Sequence, residues 1–202
     1  MRLKRGDTLV LATKNEGKIK ELKNLLHPYN FKILTLLDIT LPEIEETGMT
    51  FKENALIKAQ TCADISGFPS LADDSGLSVR ALGGQPGIFT SRWAGPSKDY
   101  FHAMQKINDE ISTIEGHPDK RAAFICHLAF CLPKTKMFFS FEGKIEGELV
   151  WPIRGSKNMG FDPMFTPQGH KKTFGEMSLE EKQSNSHRHL AFQKFIETCI
   201  EK

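Results

Sequence analysis

The spacing of apolar positions changes period along this chain, and the changes predict strands alternating with helices through its first half. Residues 8–12, Thr-Leu-Val-Leu-Ala, form a short continuous apolar run, the pattern of a strand buried on both faces. After the polar segment 13–18, Ile19, Leu22, Leu25 and Leu26 recur at helical spacing, which puts Lys18 in the first turn of a helix. Residues 31–36 read as a second strand, and a loop runs through Pro42 to Gly48. Thr50 and Glu53 have capping-box spacing, with Thr50 capping the helix while Glu53 reaches back to it. Ala55, Leu56, Ala59, Cys62 and Ala63 then supply an apolar stripe to about Ile65. A strand over residues 70–72 delivers Asp73 and Asp74, and Gly76 can turn the chain after them.

The second half has a different rhythm. Residues 81–95 are rich in Gly and Pro and predict a turn-rich excursion. Tyr100, Met104, Ile107, Ile111 and Ile114 mark a helix from about 98 to 114. Residues 122–132 and 137–141 read as adjacent strands joined around Pro133, and 144–153 as a further extended stretch punctuated by Gly143 and Gly147. Pro163 limits helix formation there, Ser178 can cap a short helix, and a last helix begins near Ser186. No internal repeat appears. The class is α/β, with a strand-rich second half that departs from a plain alternating Rossmann chain.

Composition narrows the picture. A chain of 202 residues with 39% hydrophobic positions suits one medium domain, with room for two lobes around a cleft. A net charge of +2 and no Lys/Arg block make a polymeric nucleic acid an unexpected partner. Fifteen Phe against two Tyr and two Trp point to aromatic filling of a core. Cys62, Cys126, Cys131 and Cys199 contain no C-x-x-C pair, so buried free thiols in a reducing compartment are expected rather than a zinc site. The run 9–12 after Arg2, Lys4 and Arg5 is too short for a signal peptide, and no apolar segment has membrane-spanning length. A cytoplasmic location without a membrane partner is the expectation.

Three polar clusters could carry chemistry. Thr13, Lys14, Asn15, Glu16, Gly17 and Lys18 lie between a strand and a helix, where free N–H groups and the helix dipole favour an anion. This is not a Walker A loop, because G-x-x-x-x-G-K-[ST] is absent. Glu45 and Glu46 in one loop and Asp73 and Asp74 in another offer oxygen ligands of the kind hard Mg²⁺ takes while retaining water. Lys182, His187 and Arg188 near the last helix supply donors, and Arg188 has the fork geometry for keto or phosphate oxygens. Together the clusters have the composition of a Mg²⁺–phosphate ester site. They do not identify a base.

The motifs are more specific than the clusters. L-A-T-K-N-E-G-K-I-K-E-L, E-E-T-G-M-T-F-K-E-N-A, L-A-D-D-S-G-L, G-G-Q-P-G-I-F-T-S-R-W-A-G, G-F-D-P-M-F and E-E-K-Q-S-N-S-H-R run in order over nearly the whole chain. In these the sequence resembles the non-canonical purine nucleoside triphosphate pyrophosphatases, the inosine/xanthosine triphosphate pyrophosphatase family. The resemblance implies an elongated, two-lobed α/β fold, in which a long central mixed sheet floors an active-site cleft, usually in a homodimer. It implies cleavage of ITP, dITP, XTP or dXTP between the α- and β-phosphorus atoms, giving monophosphate and diphosphate. Thr13 to Lys18 would then bind phosphate, Lys18 would neutralise the leaving group, and Glu46 and Asp74 would hold Mg²⁺. Asp74 would also be the general base, supported by Asp73, and Ser75 would touch substrate. Met159, Gly160, Phe161, Asp162, Lys182, His187 and Arg188 would complete the nucleotide pocket, with Asn54 and Lys58 as auxiliary polar residues. One departure stands out: relatives commonly have an aromatic residue where this chain has Met159, and Tyr where it has Phe161. A related enzyme for modified pyrimidine nucleotides and a nucleotide-binding protein without turnover are the alternatives.

Overall fold

The computed structural model describes residues 2–135, 137–156 and 160–201. Among the described residues six strands form one mixed sheet in the order β2-β1-β3-β4-β5-β6: β1 (Thr8–Leu11), β2 (Lys32–Thr35), β3 (Ser70–Val79), β4 (Arg121–Cys131), β5 (Phe138–Leu149) and β6 (Phe165–Pro167). β1 runs parallel to β2 and to β3, with Val10 opposite Leu34 on one side and Ser70 on the other. β5 and β6 are antiparallel, with Gly147 opposite Pro167. The helices are α1 (Glu16–Leu26), α2 (Phe51–Ser66), α3 (Thr90–Trp93), α4 (Tyr100–Ser112), α5 (Leu179–Ser184) and α6 (His187–Cys199). None of the described helices is long and apolar enough to cross a membrane.

The chain divides into two compact units. The first holds the residues up to Asp74, Cys126–Gly143 and those from Arg188 onward; the second holds Ser75–Ile125 and Lys144–His187. β3, β4 and β5 each contribute a segment to both.

In the first unit the apolar run of β1 is buried on both faces, as its sequence predicts. Leu9 and Leu11 join a cluster with Leu22, Leu26, Phe130 and Phe195, whereas Val10 and Ala12 join Ala55, Ala59, Cys62 and Ala63 of α2. This second cluster consists largely of small side chains, so α2 can lie close to the strands. Asn15 caps α1, its side chain accepting from the Lys18 amide, and Gly67 closes α2 in the left-handed conformation at φ 73°. In the second unit Leu77, Val79, Met104, Ile107, Phe124, Phe161, Phe165 and Phe174 form the core, with four of the fifteen phenylalanines of the sequence.

Four local expectations are corrected. β3 does not stop at Ala72 but continues to Val79, so the Asp pair sits inside a ten-residue strand. Gly76 does not turn the chain; a Cβ there would collide with Thr90 Oγ1 and the Gly87 carbonyl. The Thr90 hydroxyl accepts from the Leu77 amide at 2.9 Å and donates to Gly87 at 2.6 Å, so Gly76 admits a close neighbour. The stretches 137–141 and 144–153 are mostly one strand, β5, running through Gly143 and Gly147, and its partner β6 was not anticipated. Finally, Glu53 accepts from the Met49 amide at 2.6 Å, one residue further back than the capping box would have it, while Thr50 caps as expected.

Candidate active site

β3 brings two adjacent carboxylates into the first unit, and the two meet different partners, as neighbours on an extended chain should. Asp73 is buried. Its Oδ1 forms an ion pair with Lys18 from the first turn of α1. Its Oδ2 accepts from Arg188 Nε at 2.8 Å and from the Cys126 thiol at 3.1 Å. Arg188 Nη1 is in turn paired with Glu21 of α1. Asp74 Oδ1 lies 2.8 Å from Lys58 Nζ of α2, and the same ammonium is 2.6 Å from Glu46 Oε1 and 3.0 Å from the Asp73 carbonyl. Asp74 Oδ2 is buried and has no hydrogen-bond partner among the described residues.

These surroundings separate the two carboxyls electrostatically. Burial pushes Asp73 up, but Arg188 and Lys18 outweigh it and hold the group well below the usual carboxylate range. Burial pushes Asp74 above its ordinary value, with Glu46 adding to the effect, and Lys58 and Lys18 do not fully offset it. Burial works against the charged Lys58, yet Asp74 and Glu46 beside it raise its proton affinity. Burial also opposes the charge on Arg188, which Asp73 and Glu21 more than restore. The Cys126 thiol is driven well above its ordinary value, by burial first and then by Asp73, so it stays protonated and donates. Asp73 is thus a fixed anion, and Asp74 the carboxylate with an oxygen to spare and the greater appetite for a proton.

The segment ahead of α1 is shaped by its own side chains. Thr13 Oγ1 accepts from the Asn15 amide and Asn15 Oδ1 from the Lys18 amide, each at 3.1 Å, so these oxygens organise the turn. Lys14 and Glu16 are exposed, and Gly17 is half-buried. No group of three or more His, Cys, Asp or Glu converges to hold an ion among the described residues. Glu46 and Asp74 nevertheless fit a hard divalent cation: they already share one positive group, and Asp74 keeps a buried oxygen unpartnered. Mg²⁺ bound through one or two carboxylates, with water and phosphate completing its shell, asks for no more.

The remaining sequence-predicted residues lie in the second unit. Lys182 Nζ is 2.7 Å from Asp162 Oδ2, and both side chains are buried. Phe161 is only 1% exposed and meets Tyr100 edge-on at 5.5 Å, which makes it a core residue. His187 is buried and stacked on Phe124, with centroids 5.0 Å apart and planes 13° apart. Gly160 adopts a positive φ of 66°, and Ser75 is half-buried. Met159 lies outside the described residues.

Lys18, Glu46, Asp73, Asp74 and Arg188 therefore come together in the first unit, and Asp162 meets Lys182 in the second. Glu21 and the Cys126 thiol were not anticipated. The signal for Glu21 was its position three residues after Lys18 on the side of α1 that carries Leu22, since residues so spaced share a helix face. Lys58, expected only as an auxiliary group, is the bridge between Glu46 and Asp74.

Known proteins match this chain over nearly all of its length. The model of the Ham1 family matches residues 9–198. A dITP/XTP pyrophosphatase of Caulobacter vibrioides is 48% identical over 189 residues, covering 94% of this chain and 96% of that protein. One from Zymomonas mobilis is 42% identical over 192 residues, 95% of this chain and 91% of that protein. Among solved structures, a HAM1 protein from Coxiella burnetii superposes with a TM-score of 0.86 at 36% identity, over 93% of this chain and 95% of that one. A nucleoside-triphosphatase / dITP/XTP pyrophosphatase from Mycobacterium abscessus gives 0.76 at 32% identity, over 94% and 98%. The mixed α/β fold is common to them. With nearly all of its length matched in sequence and in structure, the chain belongs to the Ham1 family.

Proposed function

We propose that this protein hydrolyses the deaminated purine nucleoside triphosphates ITP, dITP, XTP and dXTP to monophosphate and diphosphate, removing them from the nucleotide pool, and that its 202 residues act as one pyrophosphatase domain. The observation that carries the reading is the division of labour between Asp73 and Asp74, in a chain whose relatives are dITP/XTP pyrophosphatases.

Glu46 and Asp74 would hold Mg²⁺, which when bound supplies charge neutralisation on phosphate oxygens. Asp74, whose burial favours protonation, takes the proton of the water that attacks the α-phosphorus. The new bond joins water oxygen to the α-phosphorus, and the bridging oxygen leaves with the diphosphate. Lys18 and Lys58 balance the charge that gathers on the departing oxygens. Asp73 keeps Lys18 and Arg188 in place. Thr13, Lys14, Asn15, Glu16 and Gly17 provide the phosphate-binding turn, and Ser75 contacts substrate. Arg188, oriented by Asp73 and Glu21, is the donor for the 6-keto oxygen; an adenine amino group in that place could not accept from it. Gly160 and the buried Asp162–Lys182 pair are assigned to substrate binding on the family motifs, whereas Phe161 supports them from the core.

We infer further that the enzyme is a cytoplasmic homodimer; four cysteines without a disulfide support the compartment, and light scattering in solution tests the dimer. The function itself is tested with purified protein, Mg²⁺ and a panel of ITP, XTP, dITP, ATP, GTP and modified pyrimidine triphosphates, with products resolved by ion exchange. Diphosphate from the deaminated purines is expected. Stepwise orthophosphate, or binding without turnover, would refute it.

A further inference from the structure

We propose that Asn54 is a positioning residue for Glu46, fixing the acidic loop through the backbone of Gly48. The proposal rests on Glu46 being a ligand of the divalent ion. Asn54 is 2% exposed on α2, and its side-chain oxygen accepts from the Gly48 amide at 2.8 Å. Gly48 is two residues beyond Glu46, in a segment without regular secondary structure. The junction is tight: a Cβ on Gly48 would stand 2.7 Å from Asn54 Oδ1 and 2.6 Å from Glu53 Cβ. Next along the chain, the Met49 amide donates to Glu53 at 2.6 Å. Two consecutive loop amides are thus held by two consecutive side chains of the first turn of α2.

One turn further along the same helix, Lys58 meets the Glu46 carboxylate itself. α2 therefore fixes the loop twice, at its backbone through Asn54 and at its functional end through Lys58. The helix has a firm seat of its own, because Ala55, Ala59, Cys62 and Ala63 pack against Val10, Ala12 and Ala72. Ala72 lies two residues before Asp74, so one helix sets the separation of the two carboxylates. A loop carboxylate without such an anchor would lose conformational freedom on meeting a cation, and affinity would fall accordingly.

The test is Mn²⁺ binding to the full chain without nucleotide, followed by the electron paramagnetic resonance of free Mn²⁺. Asn54→Ala should weaken binding about tenfold, the low end of what removing a partner behind a metal ligand costs. Asn54→Asp, which keeps the accepting oxygen, should stay within about threefold of the parent. Gly48→Ala disturbs the same bond from its other end and should act in the same direction as Asn54→Ala, which keeps the question answerable if Asn54→Ala does not fold. Glu46→Gln is the control. Folded Asn54→Ala and Gly48→Ala proteins with parental Mn²⁺ affinity, beside a weakened Glu46→Gln, would overturn the positioning role. A Glu46→Gln protein with parental affinity would overturn the ligand assignment beneath it.

Discussion

Replacing Arg188 with Met is the sharpest perturbation available to the first unit. The guanidinium serves two buried carboxylates at once, Asp73 through Nε and Glu21 through Nη1. Met retains much of the apolar stem, so the loss is mainly one of charge and hydrogen bonds. Removing one member of a buried ion pair costs about 3–5 kcal/mol, because the remaining charge stays buried. Asp73 keeps Lys18 and the Cys126 thiol, so the middle of that range, about 4 kcal/mol, is the expectation. For a chain of this size that lowers Tm by roughly 8–16 °C. Lys106→Met, which breaks the exposed pair with Glu110, should cost under about 1 kcal/mol and serves as the comparison. The pH dependence carries the mechanism. A carboxyl depressed in the folded state stabilises the fold above its unfolded pKa, and that contribution disappears as pH falls through the folded value. Without Arg188, Asp73 loses most of its depression, so the gap between parent and variant should be full at neutral pH and narrow below about pH 4. Urea titrations at pH 7 and at about pH 3, inside the window between the unfolded and the depressed folded value, measure it. A loss under about 1 kcal/mol at pH 7, or a gap unchanged at about pH 3, would refute a buried two-carboxylate clamp.

Asp74→Asn should lower kcat a few hundredfold, about 3–4 kcal/mol in the transition state, with Tm little changed. Asp73→Asn should lose both activity and stability, because it loosens Lys18 and Arg188 together; steady-state kinetics beside thermal melts separate the two, and a silent Asp74→Asn with a dead Asp73→Asn would reverse their roles. All four thiols are buried, and burial first of all pushes Cys131 up to about 12 and Cys199 up to about 11. A disulfide reagent at pH 8 should therefore titrate few thiols in the native protein and all four after denaturation, and rapid native reaction would contradict the packing around them.

Much of this was legible in the sequence because the relevant signals are local. The run at 8–12, the Thr50 cap and the Ser178 capping box each specify their element within a few residues. Asp73 and Asp74 were recognisable as a candidate site, but not as members of a continuous strand, because Gly76 looks the same whether it turns a chain or admits a neighbour. The partners of Asp73 are separated from it by 55, 53 and 115 positions, at Lys18, Cys126 and Arg188, and no periodicity reports such distances. Glu21 was hidden for another reason: a charged residue between Lys20 and Leu22 on a largely polar helix reads as solvated until a buried arginine is found opposite it.

On the proposed mechanism, water attacks the α-phosphorus of a deaminated purine triphosphate under the control of Asp74. A single turnover of ITP with Mg²⁺ in ¹⁸O-water, with products resolved by mass spectrometry, tests it most directly. One ¹⁸O in the monophosphate, none in the diphosphate and no detectable orthophosphate are expected. Label in the diphosphate would move the attack to the β-phosphorus, and labelled orthophosphate would move it to the γ-phosphorus; either result would contradict attack by water at the α-phosphorus.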